Sequence, residues 1–321
     1  MSKRIIVVIL MILLPFVSQT LFSKTNDIKQ VVIFGDSYSD NGNTYKRSSN
    51  TYPGRAYFLG HFTNGPNWAD YLAIKLGFNI MNTRVYRNYA YGQGQILGGV
   101  KLSTHNNTKS WSFSVPDFSE EVDEYFHDGA IEPAKSLYFV FIGTNDILNN
   151  IPTSKQNNQE FINKILDRFV SQVERLKKAG AKRIIIFNFR DLKLFPLSKQ
   201  LAKNYKSNYL ESLEEMIQQF NQGLLNLYSD DKNVHIFNIY NFDHKVFSIV
   251  NSIQWKSQKI FLIDKEQACY KHGGNYIDYI DNKYCTTPWT HWFFDRIHPT
   301  TYIDFMLSND VYSFLINRKL V

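Results

Sequence analysis

The stretch Val31-Val32-Ile33-Phe34-Gly35-Asp36-Ser37 decides the fold and indicates where its chemistry lies. Its first four residues are β-branched or aromatic, which predicts a buried strand. Gly35 and Asp36 interrupt that run, so Ser37 is expected just beyond the carboxyl end of the strand. In parallel α/β sheets ligands bind beyond this end of the strands. The Ser37 hydroxyl is therefore a candidate nucleophile.

Four more apolar runs follow along the chain, separated by amphipathic stretches. This alternation is typical of βαβ units, so we predict an α/β fold with a five-stranded parallel sheet. The predicted strands are Val31–Phe34, Val85–Ala90, Leu137–Ile142, Arg183–Asn188 and Val234–Ile239. Helical spacing of apolar residues predicts helices over Asn67–Leu76, Phe161–Leu176 and Tyr205–Tyr228. Long loops are predicted over Asn41–Asn67 and Ile253–Trp292.

Length and charge limit the domain count and the partners. The chain has 321 residues, 44% of them hydrophobic, and no repeat or proline-rich linker divides it after the N-terminal segment. We therefore predict one domain over residues 24–321. The net charge of +7 comes from scattered residues rather than from basic runs, so the sequence does not indicate a nucleic-acid partner.

Residues 1–23 have the layout of a secretory signal peptide. Lys3 and Arg4 precede the apolar run Ile5–Val17, and small polar residues follow it. A membrane anchor is the alternative, but the run contains Pro15 and is shorter than the ~20 residues that a bilayer crossing needs. We expect this signal peptide to be cleaved and the mature protein to be secreted or periplasmic.

Cys269 and Cys285 are the two cysteines of the chain. In an exported protein such a pair is expected to form a disulfide, the alternative being two buried free thiols. Their spacing does not match a CxxC redox or zinc motif, and no other metal-ligand spacing occurs, so we predict no metal site. Because the loop between them closely precedes Asp295, we hypothesise a lid opened by an activating protease; a stapled surface loop is the alternative.

Asp295 and His298 supply the two groups that a serine nucleophile needs. A base must remove the hydroxyl proton, and a carboxylate must hold the imidazole of that base in the right tautomer. The tetrahedral intermediate also needs donors for its negative oxygen. The backbone N–H of Ser37, a glycine N–H and an asparagine amide would supply three.

Each of these residues also has a purely structural interpretation. Ser37 could cap a helix, Gly92 could form a tight turn, and Asn145 could belong to a turn. Their joint occurrence after successive predicted strands favours catalysis. His291 is the nearest alternative base, but no carboxylate precedes it by three residues. Ser39 stands where a Gly-x-Ser-x-Gly elbow needs glycine, which disfavours an α/β-hydrolase.

With these residues the chain resembles the SGNH, or GDSL, hydrolase family. Ser37, Gly92, Asn145 and His298 match the four residues of the family's name, and Asp295 matches the family aspartate three residues before the histidine. The segment Phe-Thr-Asn-Gly-Pro-Asn-Trp at 62–68 is similar to one in the secreted lipolytic branch. Two positions depart from the family pattern. Tyr38 replaces a leucine, and Gly-Gln-Gly at 92–94 replaces Gly-Gly, which leaves Gly92 or Gly94 as the oxyanion glycine.

The resemblance implies a flavodoxin-like sheet with helices on both faces, an acyl-Ser37 intermediate, and no metal or organic cofactor. The branch includes bacterial phospholipases A, lysophospholipases A and glycerophospholipid-cholesterol acyltransferases. A lipid ester, met at a membrane surface, is therefore the expected substrate. An esterase for acetylated polysaccharide and a non-catalytic surface-binding protein of the same fold are the alternatives. The aromatic run Trp289–Phe294 is expected to wall the acyl pocket or to pack beneath a loop.

Overall fold

The computed structural model describes residues 27–105, 110–150, 155–204, 208–248, 253–255, 258–260, 264–271 and 285–321. The described strands are β1 (Gln30–Gly35), β2 (Tyr86–Asn88), β3 (Val100–His105), β4 (Ser110–Val115), β5 (Ser136–Phe141), β6 (Ile184–Phe187), β7 (Val234–Phe237), β8 (Ile253–Trp255), β9 (Gln258–Ile260), β10 (Asp264–Ala268) and β11 (His291–Phe293). The described helices are α1 (Asn43–Arg47), α2 (Trp68–Lys75), α3 (Phe118–His127), α4 (Thr144–Asn149), α5 (Lys155–Lys178), α6 (Pro196–Asn204), α7 (Tyr209–Tyr228), α8 (Ile239–Ser248) and α9 (Thr301–Asn317).

The central sheet is parallel, with five strands in the order β2-β1-β5-β6-β7. Every residue of β1, β5 and β6 is buried, as expected for parallel strands covered by helices on both sides. All five predicted strands are present, with ends displaced by at most two residues. The prediction of a five-stranded α/β sheet is confirmed.

Adjacent residues of β5 show that helices cover both faces of the sheet. The Phe139 ring packs on Trp68 of α2, with ring centroids 5.6 Å apart. The hydroxyl of the adjacent residue, Tyr138, lies 2.7 Å from the hydroxyl of Tyr125 on α3. Because successive strand residues point to opposite faces, α2 and α3 lie on opposite sides of the sheet. The three-layer arrangement expected of a flavodoxin-like fold is therefore present.

Several parts of the chain differ from the predictions. The segment predicted as a loop from Asn41 to Asn67 contains α1, and α9 was not predicted. β3 and β4 form an antiparallel hairpin that the sequence analysis did not predict. The segment predicted as a loop from Ile253 to Trp292 contains β8 and β9, paired antiparallel, and β10, which pairs with β11. These strands lie outside the main sheet and mix polar with apolar residues, as in Val-Lys-Leu-Ser-Thr-His of β3. They therefore lack the apolar runs by which most of the central strands are recognised.

Cys269 and Cys285 are joined in a disulfide, with Cα atoms 5.2 Å apart, which confirms the predicted pairing. The lid and protease site were predicted in the loop between Cys269 and Cys285, of which residues 272–284 lie outside the described residues. The predicted signal peptide, residues 1–23, also lies outside them. In the part of the chain that the structure describes, no helix has the length and hydrophobicity of a membrane span.

Candidate active site

Ser37, His298 and Asp295 form a continuous chain of hydrogen bonds. Ser37 Oγ lies 2.7 Å from His298 Nε2, and His298 Nδ1 lies 2.7 Å from Asp295 Oδ2. Ser37 follows β1 directly, whereas the other two residues lie on the turn between β11 and α9. The fold thus brings together three side chains that are 261 residues apart at their extremes, in the geometry of a serine nucleophile with its base.

The spacing of Asp295 and His298 follows from a local turn. Asp295 Oδ1 accepts hydrogen bonds from the backbone N–H groups of Ile297 and His298, both at 2.8 Å. An aspartate often stabilises a turn by accepting hydrogen bonds from backbone N–H groups that follow it in the sequence. The second carboxylate oxygen is left to face the imidazole. A separation of three residues therefore lets one carboxylate shape the turn and orient the histidine.

The Asp295 side chain is fully buried yet remains a carboxylate. Burial disfavours its charge, but the charge of His298 and hydrogen bonds from His298, Tyr57 and Ile297 outweigh burial and lower the pKa of the Asp295 carboxyl. Asp295 therefore stays ionised across the neutral pH range. An ionised partner is what an imidazole needs to accept a proton from serine.

Tyr38, the departure from the family leucine, ties the two halves of the site together. Its hydroxyl donates to the carbonyl oxygen of Ile297 at 3.0 Å, across a separation of 259 residues. Its ring stacks on Phe141, at 5.2 Å between centroids, and meets the His298 ring edge-on at 5.6 Å. The residue after the nucleophile therefore helps to fix the distance between Ser37 and the turn that carries the base.

The expected oxyanion donor Gly92 is near the site, but its N–H group is already engaged. It donates to Asp40 Oδ2 at 2.8 Å and to Thr44 Oγ1 at 2.7 Å. The N–H of the alternative, Gly94, donates to the carbonyl of Tyr91 at 2.8 Å. Neither glycine N–H is thus available to a substrate oxygen in this conformation, and the choice of Gly92 or Gly94 as the oxyanion glycine stays a prediction.

Two other backbone donors near the nucleophile have no hydrogen-bond partner among the described residues: the N–H groups of Ser37 and Gln93. Gln93 has a φ of 71°, in the left-handed region that a glutamine seldom adopts. Asn145, in the first turn of α4, donates one amide N–H to the carbonyl of Gly94 at 2.9 Å. Gln93 lies between the two engaged glycines, on the turn that Asn145 holds.

Phe62 explains why residue 92 is glycine. A Cβ at Gly92 would lie 2.1 Å from Cζ of the Phe62 ring, a distance that no packing tolerates. The centroid of the same ring lies 5.3 Å from that of His298. The missing side chain at Gly92 therefore makes room for the Phe62 ring against the imidazole of His298.

A layer of buried acids lies behind the nucleophile. Glu121 Oε2 accepts the N–H of Gly35 at 2.9 Å, and Asp146 accepts the N–H groups of Ile96 and Leu97. Burial raises the pKa of Asp36 to about 7 and that of Asp146 to about 6, and it raises the pKa of Glu121 well above its ordinary value. At pH values between the ordinary pKa of a carboxyl and these raised values, the carboxyls take up protons when the chain folds.

Asp36 should make the stability depend on pH. Between pH 3.8 and about 7 the folded protein holds a proton on Asp36 that the unfolded chain has released. The free energy of unfolding therefore falls as the pH rises through this window, by up to about 1.4 kcal/mol per pH unit for this one proton. We expect Asp36→Asn to flatten that slope in urea unfolding curves recorded from pH 4.5 to 7.5. The same slope in both proteins would contradict the assignment.

The aromatic run before Asp295 mostly packs into the core rather than lining a pocket. Trp292 and Phe293 are fully buried and pack against Phe195 and Phe247. The predicted acyl-pocket wall is therefore wrong for these two residues. Trp289 is the exposed member of the run, at 52% of its surface.

Sequence reasoning missed several residues that shape the site. Tyr57 donates to Asp295 Oδ2 at 2.6 Å, and the carboxylate of Asp40 binds the Gly92 turn. Arg190, completely buried and paired with Asp243 through two hydrogen bonds, lies 4.9 Å from the Tyr38 ring centroid. Of these residues only Asp40 could have been suspected from the sequence, because it lies three residues after Ser37. Nothing local marks Tyr57 or Arg190.

Known proteins of one family match most of the chain. The family model described as GDSL-like Lipase/Acylhydrolase matches residues 31–304. A phosphatidylcholine-sterol acyltransferase of Aeromonas hydrophila is 26% identical over 77% of this chain and 67% of its own length. A GDSL esterase/lipase of Arabidopsis thaliana is 26% identical over 90% of this chain and 91% of its own length.

Solved structures with low sequence identity align over most of the chain. A phospholipase A1 from Streptomyces albidoflavus covers 89% of this chain and 99% of its own, with 12% identity and a TM-score of 0.45. The family match extends from β1, through the turn that holds Asp295 and His298, into α9. The chain belongs to the GDSL-like lipase/acylhydrolase family.

Proposed function

We propose that the protein is an exported lipid esterase, a phospholipase A or lysophospholipase A that forms an acyl-Ser37 intermediate. The observation that carries the proposal is the hydrogen-bond chain from Ser37 Oγ through His298 to Asp295, with both distances at 2.7 Å. Water resolves the intermediate in hydrolysis. An alcohol that competes with water would take the acyl group instead, as in an acyltransferase.

His298 acts first as base and then as acid. Its Nε2 takes the proton of Ser37 as the serine oxygen attacks the ester carbonyl carbon, and the imidazolium then protonates the leaving alcohol. In the second half, water gives its proton to Nε2 and attacks the acyl carbon, and the Ser37 oxygen leaves with that proton. Asp295 remains a carboxylate throughout and stabilises the imidazolium.

The proposed donors to the negative oxygen are the N–H groups of Ser37 and Gln93 and the side-chain amide of Asn145. Gln93 takes the role expected of Gly92, because the Gly92 N–H is bound to Asp40 and Thr44. Preplaced donors of this kind are worth about 3 to 4 kcal/mol of barrier each. The left-handed backbone conformation of Gln93 is then a strained conformation that is kept because it aims the N–H group at the negative oxygen.

Surface residues around the site support a lipid substrate. The cavity that Ser37 and His298 line measures about 10 Å³, far smaller than an acyl chain. We propose that the acyl chain of a bound lipid lies along apolar side chains outside this pocket. Phe58 and Leu59, which directly follow Tyr57, are 38% and 73% exposed. Apolar side chains exposed beside an ester-cleaving site suit contact with acyl chains.

A substrate comparison tests the proposal. The purified mature protein is assayed against lysophosphatidylcholine, phosphatidylcholine vesicles and acetylated xylan, with Ser37→Ala as the blank. We expect fatty acid release from the lipids and little acetate from xylan. Preference for xylan would indicate a carbohydrate esterase, and no labelling of Ser37 by a phosphonate probe would indicate a non-catalytic protein.

N-terminal sequencing of exported protein tests cleavage of residues 1–23.

A further inference from the structure

Asp295 has a second side-chain partner besides the catalytic histidine. The Tyr57 hydroxyl donates to Asp295 Oδ2 at 2.6 Å, and His298 Nδ1 lies 2.7 Å from the same oxygen. Tyr57 lies 238 residues earlier, on the segment between α1 and α2. A phenol that donates to a carboxylate makes a short, charge-assisted hydrogen bond. Two donors therefore share the charge of the oxygen that orients the base.

The Tyr57 ring is held in place by other aromatic rings. It meets the edges of Phe294 and Tyr270, with centroids 5.3 and 5.9 Å away, and lies 6.0 Å from Phe62. Phe294 and Tyr270 stack on each other, and the N–H of Tyr270 donates to the carbonyl of Phe294 at 2.6 Å. Packing on several sides thus fixes the direction of the Tyr57 hydroxyl.

Titration does not remove this donor near neutral pH. Burial and the neighbouring Asp295 charge raise the pKa of Tyr57 well above 10, so the phenol keeps its proton. The titratable groups facing this pair are His298 on the Asp295 turn, Tyr38 on the nucleophile segment, and Tyr52 and Tyr270 beside the Tyr57 ring.

We propose that Tyr57 is a positioning residue of the catalytic site, which aligns Asp295 Oδ2 with His298 and limits how tightly that oxygen holds the imidazolium proton. A carboxylate oxygen that accepts a second hydrogen bond attracts the first donor less strongly, because its negative charge is shared between the two donors. The imidazole is then aligned with Oδ2 and can serve as a base for Ser37. The inference rests on the proposed function, in which His298 is that base.

Tyr57→Phe tests the inference, because it keeps the ring and removes only the hydroxyl. We expect the His298 imidazole of the variant to retain its proton to higher pH, with the titration midpoint displaced upward by about 0.5 to 1 unit. NMR of histidine-labelled protein measures this, with the signal assigned by its loss in His298→Gln. In ester hydrolysis, the wild-type to variant ratio of kcat/KM should grow by about 3- to 10-fold from pH 9 to pH 6.

Two controls separate positioning from general damage. Tyr240→Phe removes a tyrosine hydroxyl that donates to Glu214 at 2.9 Å, outside the hydrogen-bond chain of Ser37, His298 and Asp295, and should change neither measurement. Adding Tyr57→Phe to Asp295→Asn should leave the His298 titration as it is in the single Asp295→Asn variant. An unchanged titration in Tyr57→Phe, or an equal loss of activity at every pH, would overturn the inference. Because the titration uses the resting protein, it reports on Tyr57 even if the ester activity proves absent.

Discussion

Ser37→Ala is expected to lower the rate of ester hydrolysis by at least about 10⁴-fold while the protein stays folded. The serine oxygen is the atom that becomes acylated, and no other hydroxyl lies within reach of His298 Nε2 among the described contacts. Residual turnover would come from water activated by His298 and from the oxyanion donors. The measurement is kcat/KM on a soluble ester, together with the thermal unfolding midpoint.

Ser39→Ala is the matched control for that variant. Ser39 Oγ accepts the indole N–H of Trp68 at 3.1 Å inside the core, so its loss leaves a buried donor unpaired and costs about 1 to 3 kcal/mol of stability. The two serines, two residues apart, should thus show opposite behaviour. Ser37→Ala should lose activity and keep its stability, whereas Ser39→Ala should lose stability and keep activity per folded molecule. Turnover in Ser37→Ala near the wild-type rate would rule out the acyl-serine mechanism.

The central sheet could be predicted because its signal is local. Strands β1, β5, β6 and β7 are short, mostly apolar runs, whereas β2 has the sequence Tyr-Arg-Asn. Burial makes an apolar run stand out from the amphipathic helices around it. The hairpin of β3 and β4 does not stand out in this way. Its strands alternate exposed and partly buried residues where the structure describes them, as in Lys101, Leu102 and Ser103. The helix α9 was missed for a different reason, because its buried positions include Asp304 and Ser308, which break the apolar stripe.

The residues proposed as catalytic could be picked out by their chemistry, but the hydrogen bonds around them could not be predicted. Ser37, Asp295 and His298 carry groups that few other functions need at those places in an α/β chain. The donor expected at Gly92 depended on where a backbone N–H points, and Asp40 and Thr44 capture it. The contact between Tyr57 and Asp295 joins segments 238 residues apart. Such contacts come from tertiary packing, for which a single sequence carries no local pattern.

Asp295→Asn is expected to lower kcat/KM by about 10⁴-fold at neutral pH, with little change in fold. The wild-type carboxylate accepts four hydrogen bonds, from the backbone N–H groups of Ile297 and His298, from His298 Nδ1 and from Tyr57. An asparagine has one acceptor oxygen. If that oxygen keeps the two backbone bonds, its NH₂ group faces His298 Nδ1 and forces the ring proton onto Nε2. An imidazole protonated at Nε2 cannot take the proton of Ser37.

Asp304→Asn is the control that separates loss of charge from loss of shape. Asp304 is also a buried aspartate, but burial raises its pKa well above 3.8, whereas the pKa of Asp295 is lowered. Asparagine imitates a protonated aspartic acid in size and polarity, so replacing Asp304 should leave kcat/KM within a few-fold of the wild type. The change from aspartate to asparagine thus removes a negative charge that acts on His298 at residue 295, but it removes hardly any charge at residue 304. Less than a tenfold loss in Asp295→Asn, or equal losses in both variants, would show that the charge of Asp295 does not orient the base.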